Sequence, residues 1–181
     1  IDEILRYARM KEDGKIKYVV VTGCLAQRYA DELVKEIPEA DAFVGVTAFD
    51  GIVNVIDNLG ENNSVVIKDI NEACPLGLPR VTDDNQVYAY IKIAEGCDNR
   101  CSYCAIPYIR GRYRSKPVEA LVAEAKELVN RGKKEIIVTA QDITRYGQDI
   151  DGNVTLMILL SRLSEINGLE WIRLMYLNPM R

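Results

Sequence analysis

Three cysteines lie within eight residues at the end of an apolar run, and they restrict the fold more than any other feature. Cys97, Cys101 and Cys104 have the spacing Cys-x3-Cys-x2-Cys and follow the strand-like run from Val87 to Ala94. A tight loop can turn three such thiolates toward one centre, and thiolates select soft metals or iron–sulfur clusters. The sequence therefore predicts a strand that leads directly into a loop binding a metal or a cluster.

The number of ligands separates the possible metal sites. Simple electron carriers usually give a 4Fe–4S cluster four cysteines, whereas this motif supplies three and would leave one iron open to a substrate. A structural zinc site usually has four Cys or His ligands, but the chain contains no histidine. Cys74 could be a fourth ligand only from a Pro- and Gly-rich stretch well before the motif, and we interpret it as an incidental thiol.

Composition limits the compartment and the partners. The five cysteines are an odd number without a secretory signal before them, which favours reduced thiols and a cytoplasmic protein over disulfides. Lys and Arg total 23 against 27 Asp and Glu, so no global positive charge indicates nucleic-acid binding. No apolar run approaches the ~20 residues that a membrane span needs. Without histidine, the usual general base is absent, and the chemistry must come from a cofactor or from other side chains.

Residues 1–60 alternate between strand and helix patterns. We predict strands over 17–22 and 42–46 and helices over 26–37 and 49–59, which is typical of a parallel, flavodoxin-like or Rossmann-like sheet. Cys24 falls at the carboxyl end of the first strand, where α/β folds place ligands, although a cysteine there is more often a small buried residue. Because the chain starts at Ile1 inside an amphipathic pattern, we expect a fragment of a longer protein.

Residues 61–86 are rich in turn-forming residues and predict a linker, and residues 87–181 form a second unit. Its order of strand, helix, strand, helix and strand predicts the first half of a (β/α) barrel. Gln141 and Asp142 end the second of these strands. Active groups of such barrels lie at the carboxyl ends of the strands, which is also where the cysteine loop falls.

A basic cluster surrounds and follows the cysteine loop. It consists of Arg100, Arg110, Arg112, Arg114 and Lys116. These charges could bind a carboxylate or a phosphate. They could equally form a solvated loop, and the sequence leaves both interpretations open.

The stretch from Ala94 to Arg112 resembles the methylthiotransferases, a family of radical S-adenosylmethionine (SAM) enzymes. In that family a Pro-Tyr/Ser-x-Arg/Lys-Gly run follows the third cysteine, and residues 107–111 read Pro-Tyr-Ile-Arg-Gly. The run Val-Thr-Gly-Cys-Leu-Ala-Gln at 21–27 resembles the family's third amino-terminal cysteine motif. The resemblance covers nearly the whole chain and implies an amino-terminal methylthiotransferase domain followed by a radical SAM barrel.

The resemblance also implies ligands and cofactors. It makes Cys97, Cys101 and Cys104 the ligands of a radical SAM 4Fe–4S cluster whose open iron binds SAM. Cys24 would be one ligand of a second 4Fe–4S cluster that is incomplete in this chain. Tyr103, Gln141 and Asp142 are candidates for SAM contacts. No side chain is expected to act as the catalyst itself, because the cofactor carries the chemistry.

Two branches of the family differ in substrate. Residues 140–147 and 171–179 resemble the branch that adds a methylthio group to the β-carbon of an aspartate in a small-subunit ribosomal protein. The alternative branch modifies isopentenyl-adenosine in tRNA. An electron donor such as flavodoxin or ferredoxin is implied, and we expect the chain alone to be inactive. An iron–sulfur electron carrier or structural cluster module is the alternative of another class.

Overall fold

The computed structural model of the protein describes residues 1–60, 64–72, 76–78, 80–83, 85–150 and 152–179. The chain forms two compact units. The first comprises Ile1–Glu72 and Tyr108–Arg110, and the second comprises Ala73–Pro107 and Gly111–Arg181. Cys74 and several other positions of the predicted linker lie outside the described residues, so the boundaries at 60 and 86 stay a prediction.

The first unit is a three-stranded parallel sheet with helices between its strands. Its elements are α1 (Asp2–Glu12), β1 (Val20–Thr22), α2 (Cys24–Glu36), β2 (Ala42–Val44), a 3-10 turn (Phe49–Gly51), α3 (Ile52–Asp57) and β3 (Ser64–Val66). The strands lie in the order β1-β2-β3, with Val20 opposite Ala42 and Ala42 opposite Ser64. The predicted alternation of strands and helices is therefore confirmed for this part of the chain.

The core of the first unit forms because β2 is buried on both faces. All three residues of β2 are fully buried, as expected for a central parallel strand covered by helices. Phe43 packs with Ala26 and Leu33, which lie on the same face of α2. Helix α2 ends at Glu36, and Pro38 follows, where a missing N–H prevents another helical turn.

The second unit contains a second parallel sheet. Its elements are β4 (Tyr88–Lys92), β5 (Ala94–Glu95), β6 (Arg114–Ser115), α5 (Val118–Asn130), β7 (Glu135–Thr139), a 3-10 turn (Ile143–Arg145), α6 (Leu156–Ser164) and β8 (Trp171–Leu174). Helix α4 (Ile106–Arg110) begins in this unit, and its residues Tyr108–Arg110 belong to the first unit. The large sheet has the order β4-β7-β8, and helices α5 and α6 connect its parallel strands. Together the two sheets confirm the predicted α/β class.

One face of the second sheet forms the core with α5 and α6. Ile91 and Val138 lie opposite each other on β4 and β7, and both side chains face the helices. They pack in one cluster with Leu121 of α5 and Leu159 of α6, and all four residues are fully buried. The opposite face is more polar. There the Arg173 Nε donates to Glu135 Oε1 of the neighbouring strand at 2.6 Å, which raises the pKa of the Arg173 guanidinium.

Several element boundaries differ from the prediction. The strand expected over 87–94 divides into β4 and β5, because Glu95 turns away to pair antiparallel with Arg114. Helix α5 begins at Val118, and Pro117 before it is the extended N-cap. The helix expected over 49–59 is a 3-10 turn followed by the short α3.

No helix among the described residues is long and apolar enough to cross a membrane.

Candidate metal and cofactor site

The cysteine loop connects β5 to α4 in the second unit. Cys97 is buried, Cys104 is half-buried and Cys101 is exposed. All three are free thiols, and so is Cys24, the fourth cysteine that the structure describes. The loop therefore offers one sulfur at its base and one at its surface, as a ligand loop open to an incoming cofactor requires.

Glycine allows the start of the loop to close against the returning chain. Gly96 has a φ of +73°, and a Cβ at this position would overlap the carbonyl oxygen of Arg112. The Cys97 N–H donates to the Gly111 carbonyl at 3.1 Å. Only a residue without a side chain fits this close approach, so Gly96 fixes where Cys97 begins the loop.

A turn inside the loop brings the second and third cysteines together. The Cys104 N–H donates to the Cys101 carbonyl at 3.0 Å, which is the hydrogen bond of a four-residue turn. Arg100, directly before it, has a φ of +48°, a left-handed conformation that is uncommon outside glycine. The loop thus reverses direction sharply between Cys97 and Cys101.

The segment after β7 holds the loop from the side. The Asn99 Nδ2 donates to Asp142 Oδ2 at 3.1 Å, and the Asn99 Oδ1 accepts from Arg145 Nη1 at 3.2 Å. The other Asp142 oxygen caps the 3-10 turn by accepting from the Thr144 N–H at 3.1 Å. Asp142 is 2% exposed, so its carboxylate is buried among these donors.

Tyr113 supports the same loop from the returning chain. Its N–H donates to Asp98 Oδ1 at 3.1 Å, and its hydroxyl donates to the Asp142 carbonyl at 2.9 Å. Burial, and to a smaller extent the negative charges of Asp142 and Asp149, raise the pKa of the Tyr113 hydroxyl far above its ordinary value. The hydroxyl therefore stays protonated and remains a hydrogen-bond donor.

Cys24 lies in the first unit at the position that the sequence predicts. It is the first residue of α2, directly after Gly23 and the end of β1. Arg110, which belongs to the same unit, donates from Nη2 to the Cys24 sulfur at 3.4 Å. The amino end of α2 and the Arg110 guanidinium thus place positive charge beside the Cys24 sulfur.

Gln27 anchors the strand ends beside Cys24. Its Oε1 accepts from the Val46 N–H at 2.9 Å, and its Nε2 donates to the Lys68 carbonyl at 3.4 Å. A Cβ on Gly45 would displace this amide, so glycine at that position leaves space for the Gln27 hydrogen bonds. Gln27 is part of the cysteine motif at 21–27, and the structure gives it a role in joining the segments that follow β2 and β3.

The basic cluster does not act as one group. Arg110 contacts Cys24, whereas the Arg114 Nη1 donates to the Arg112 carbonyl at 2.7 Å. Both interpretations of the cluster, an anion site and a solvated loop, stay open.

A cavity of about 640 Å³ lies along α5, away from the cysteine loop. Leu76, Leu78 and Leu121 line its apolar part, and Lys92 and Lys116 are among its polar lining residues. None of the three loop cysteines lines it. The sequence did not indicate this cavity, because its walls come from segments far apart in the chain.

Comparison with known proteins shows what the chain is similar to. Residues 91–177 match the Radical SAM superfamily. The match covers β4, the cysteine loop and the segment after β7, which are the parts that form the site described above.

Several curated relatives of this chain share one name. The ribosomal protein uS12 methylthiotransferase RimO of Desulforamulus reducens is 49% identical over all of this chain and 41% of its own length. The proteins of that name from Syntrophus aciditrophicus and Clostridioides difficile are 45% and 46% identical over 99% of the chain. The predicted resemblance to the methylthiotransferases is confirmed. The chain spans about two fifths of the length of these relatives.

The Radical SAM superfamily, which residues 91–177 match, implies a 4Fe–4S cluster and SAM, and the donors of the loop fit such a cluster. Three free thiols stand on one loop, and soft thiolates are the ligands that iron–sulfur clusters take. Throughout the described ranges, no three His, Cys, Asp or Glu side chains gather closely enough to hold a single metal ion. A cluster does not need that arrangement, because its thiolates bind different irons.

The three predicted SAM-contact residues differ in their solvent exposure. The Tyr103 side chain is 91% exposed, and Gln141 is also exposed. Asp142 is buried and holds Asn99 and the 3-10 turn. Asn99, Tyr113 and Arg145 were missed by sequence reasoning. Asp142 as a cap residue could have indicated the 3-10 turn, but no sequence signal links Asn99 or Tyr113 to it.

Proposed function

We propose that the protein carrying this chain is a SAM-dependent radical methylthiotransferase that modifies an aspartate of ribosomal protein uS12 at its β-carbon. The identity of 49% along the whole chain to a protein named for this reaction carries the proposal. The sequence at 140–147 and 171–179 supports the same branch of the family, since both stretches resemble it rather than the tRNA-modifying branch. A ribosomal substrate and reduced thiols are consistent with a cytoplasmic enzyme.

Cys97, Cys101 and Cys104 are the proposed ligands of the radical SAM cluster. Three ligands leave one iron for the amino and carboxylate groups of SAM. When bound, the cluster supplies the electron that cleaves SAM and so makes an unreactive carbon–hydrogen bond accessible to radical chemistry. The protein's own contribution is to hold Cys97 at the buried base of the loop and to present Cys101 at its surface.

Tyr103, Gln141 and Asp142 are the proposed contacts to SAM. Tyr103 stands between the second and third cysteines and offers backbone groups and an exposed ring. Gln141 and Asp142 follow β7, at the carboxyl end where parallel α/β folds place their ligands. Asp142 also orients Asn99 of the loop, so we assign it a positioning role as well.

Cys24 is the proposed contribution of this chain to a second 4Fe–4S cluster. Its free thiol at the start of α2 and the neighbouring Arg110 support the assignment. A second cluster would supply the sulfur atom, and a further SAM would supply the methyl group. Flavodoxin or ferredoxin is the proposed electron donor.

The domains follow from the same proposal. Residues 1–60 would be part of a flavodoxin-like amino-terminal domain, which the parallel pairing of β1 with β2 supports. Residues 61–86 would be the linker. Residues 87–181 would be the first half of a radical SAM barrel, which the parallel order β4-β7-β8 and the crossover helices support.

Mass spectrometry of uS12 and tRNA from a gene-deletion strain tests the substrate. We expect the uS12 aspartate to lose its methylthio group, and we expect the intact gene to restore it. The matched control is the gene carrying Cys101→Ala, which should restore nothing. If the deletion instead removes methylthio groups from isopentenyl-adenosine in tRNA and leaves uS12 unchanged, the proposal is wrong.

A further inference from the structure

Two polar residues between the first and second cysteines face the segment after β7. Asp98 is exposed and Asn99 is half-buried, and both contact Arg145 on that segment. The Asn99 Oδ1 accepts from Arg145 Nη1 at 3.2 Å, and Asp98 Oδ2 lies 3.8 Å from Arg145 Nη2. One guanidinium thus contacts both loop residues.

Arg145 itself is held in place. It ends the 3-10 turn that Asp142 caps, and Ile143 in the same turn is fully buried. The Arg145 side chain is 21% exposed, and its guanidinium lies 5.9 Å from the centre of the Tyr113 ring. Burial and capping fix the backbone from which Arg145 reaches the loop.

We infer that Arg145 is a positioning residue that orders the cysteine loop before any cluster binds. This inference rests on the proposed function, because it concerns the loop that would bind the radical SAM cluster. A loop with three free thiols loses conformational entropy when it is ordered. Arg145 lowers that loss at cluster binding by holding Asp98 and Asn99 in advance. Groups that orient metal ligands from outside commonly change metal affinity by 10–100-fold.

The geometry requires an arginine. Its planar fork carries two nitrogens that reach Asn99 and Asp98 at the same time, with the Asn99 amide also donating to Asp142. The amide orientation is thereby determined on both sides. A lysine has one ammonium and could satisfy only one of the two loop residues, so R145K should restore part of the order.

Hydrogen exchange of the metal-free intact protein is the first test. R145M should increase amide exchange across residues 97–104 about tenfold, since a charge-assisted hydrogen bond is lost, and should leave α5 unchanged. R145K should fall between R145M and the wild type. R162M is the matched control, because Arg162 makes two hydrogen bonds to Glu119 on the surface and does not contact the loop. Equal loop exchange in R145M and wild type overturns the inference.

Iron release to a chelator after anaerobic reconstitution is the second test. R145M should lose iron about tenfold faster than wild type or R162M. N99A should also lose iron faster, and the effect of the double variant R145M/N99A should be smaller than the sum of the two single effects, because both variants remove the Arg145–Asn99 hydrogen bond. Fully additive effects would mean that the two residues act separately, and the inference would then be wrong.

A folding control keeps the test decisive. If the thermal midpoint shows that R145M does not fold, D98N and N99A replace it, since both remove partners of Arg145 from the loop side. They must then raise loop exchange, and unchanged exchange in both overturns the inference. A wild-type protein that holds iron but does not cleave SAM would contradict the proposed function alone. The exchange experiment contains no metal, so its result still decides whether Arg145 orders the loop.

Discussion

Gly96 decides at the level of a single residue whether the cysteine loop can close. Its φ of +73° and its contact with the Arg112 carbonyl leave no space for a Cβ. Gly132 at the end of α5 offers a matched comparison, because its φ is +88° but no atom lies within 4 Å of a Cβ built there. Comparing alanine substitutions at the two glycines therefore distinguishes the effect of backbone strain from that of steric overlap.

Gly96→Ala should therefore be far more damaging than Gly132→Ala. Both substitutions place an alanine in a left-handed conformation, which costs about 1–2 kcal/mol of the free energy of unfolding. Only Gly96→Ala adds the overlap with Arg112, so it should lower stability further and abolish iron binding by the loop. Urea unfolding and iron analysis after reconstitution measure both effects. Normal iron content in Gly96→Ala would show that the loop does not need this close approach.

Two tyrosines join elements of the second unit through their hydroxyl groups. The Tyr113 hydroxyl donates to the Asp142 carbonyl, and the Tyr146 hydroxyl donates to the Lys116 carbonyl at 2.7 Å. Burial raises the pKa of both, with a contribution from the Asp149 charge in each case. A tyrosinate could not donate these hydrogen bonds, so ionisation must accompany opening of the contacts.

The absorbance of tyrosinate during an alkaline titration tests whether the pKa of these two hydroxyls is raised. In the unfolded chain tyrosine ionises near pH 10, whereas Tyr113 and Tyr146 should ionise later. Because the folded pKa is raised, their contribution to stability is complete below about pH 10 and is lost as the pH rises above it. Tyr113→Phe and Tyr146→Phe should each remove one late-ionising group of the ten tyrosines. Loss of an early-ionising group from either variant would contradict the assignment.

Elements with a strong periodic signal could be predicted, and those created by tertiary contacts could not. The strand pattern at 17–22 predicted β1 and the helical pattern at 26–37 predicted α2, because burial dictates the pattern of apolar residues. The two-residue strands β5 and β6 carry no such pattern. They form because Gly96 lets the chain on both sides of the cysteine loop approach.

The same distinction applies to the site. The cysteine spacing revealed Cys97, Cys101 and Cys104, because ligands on one loop leave a local signature. Asn99, Asp142 and Arg145 meet across 43 to 46 positions of sequence. Their contact depends on the parallel pairing of β4 with β7, which brings the ends of both strands to one edge. No local pattern contains that information.

At the scale of the whole molecule, the chain joins two α/β units with different proposed tasks. The first carries Cys24 at the carboxyl end of β1, and the second carries the three-cysteine loop and the segment after β7. The relatives named RimO match along both units, not only along the radical SAM region. The proposed radical SAM function depends most on the chemistry of the three-cysteine loop.

Formation of 5′-deoxyadenosine from SAM by the reduced, reconstituted intact protein tests that chemistry most directly. The wild type should form it, and Cys97→Ala, Cys101→Ala and Cys104→Ala should each form none. Cys74→Ala should keep the wild-type rate, because Cys74 lies outside the three-cysteine motif and we interpret it as an incidental thiol. An iron-loaded wild type that leaves SAM intact, or a Cys101→Ala variant that cleaves it at the wild-type rate, would contradict the assignment of a three-cysteine radical SAM cluster.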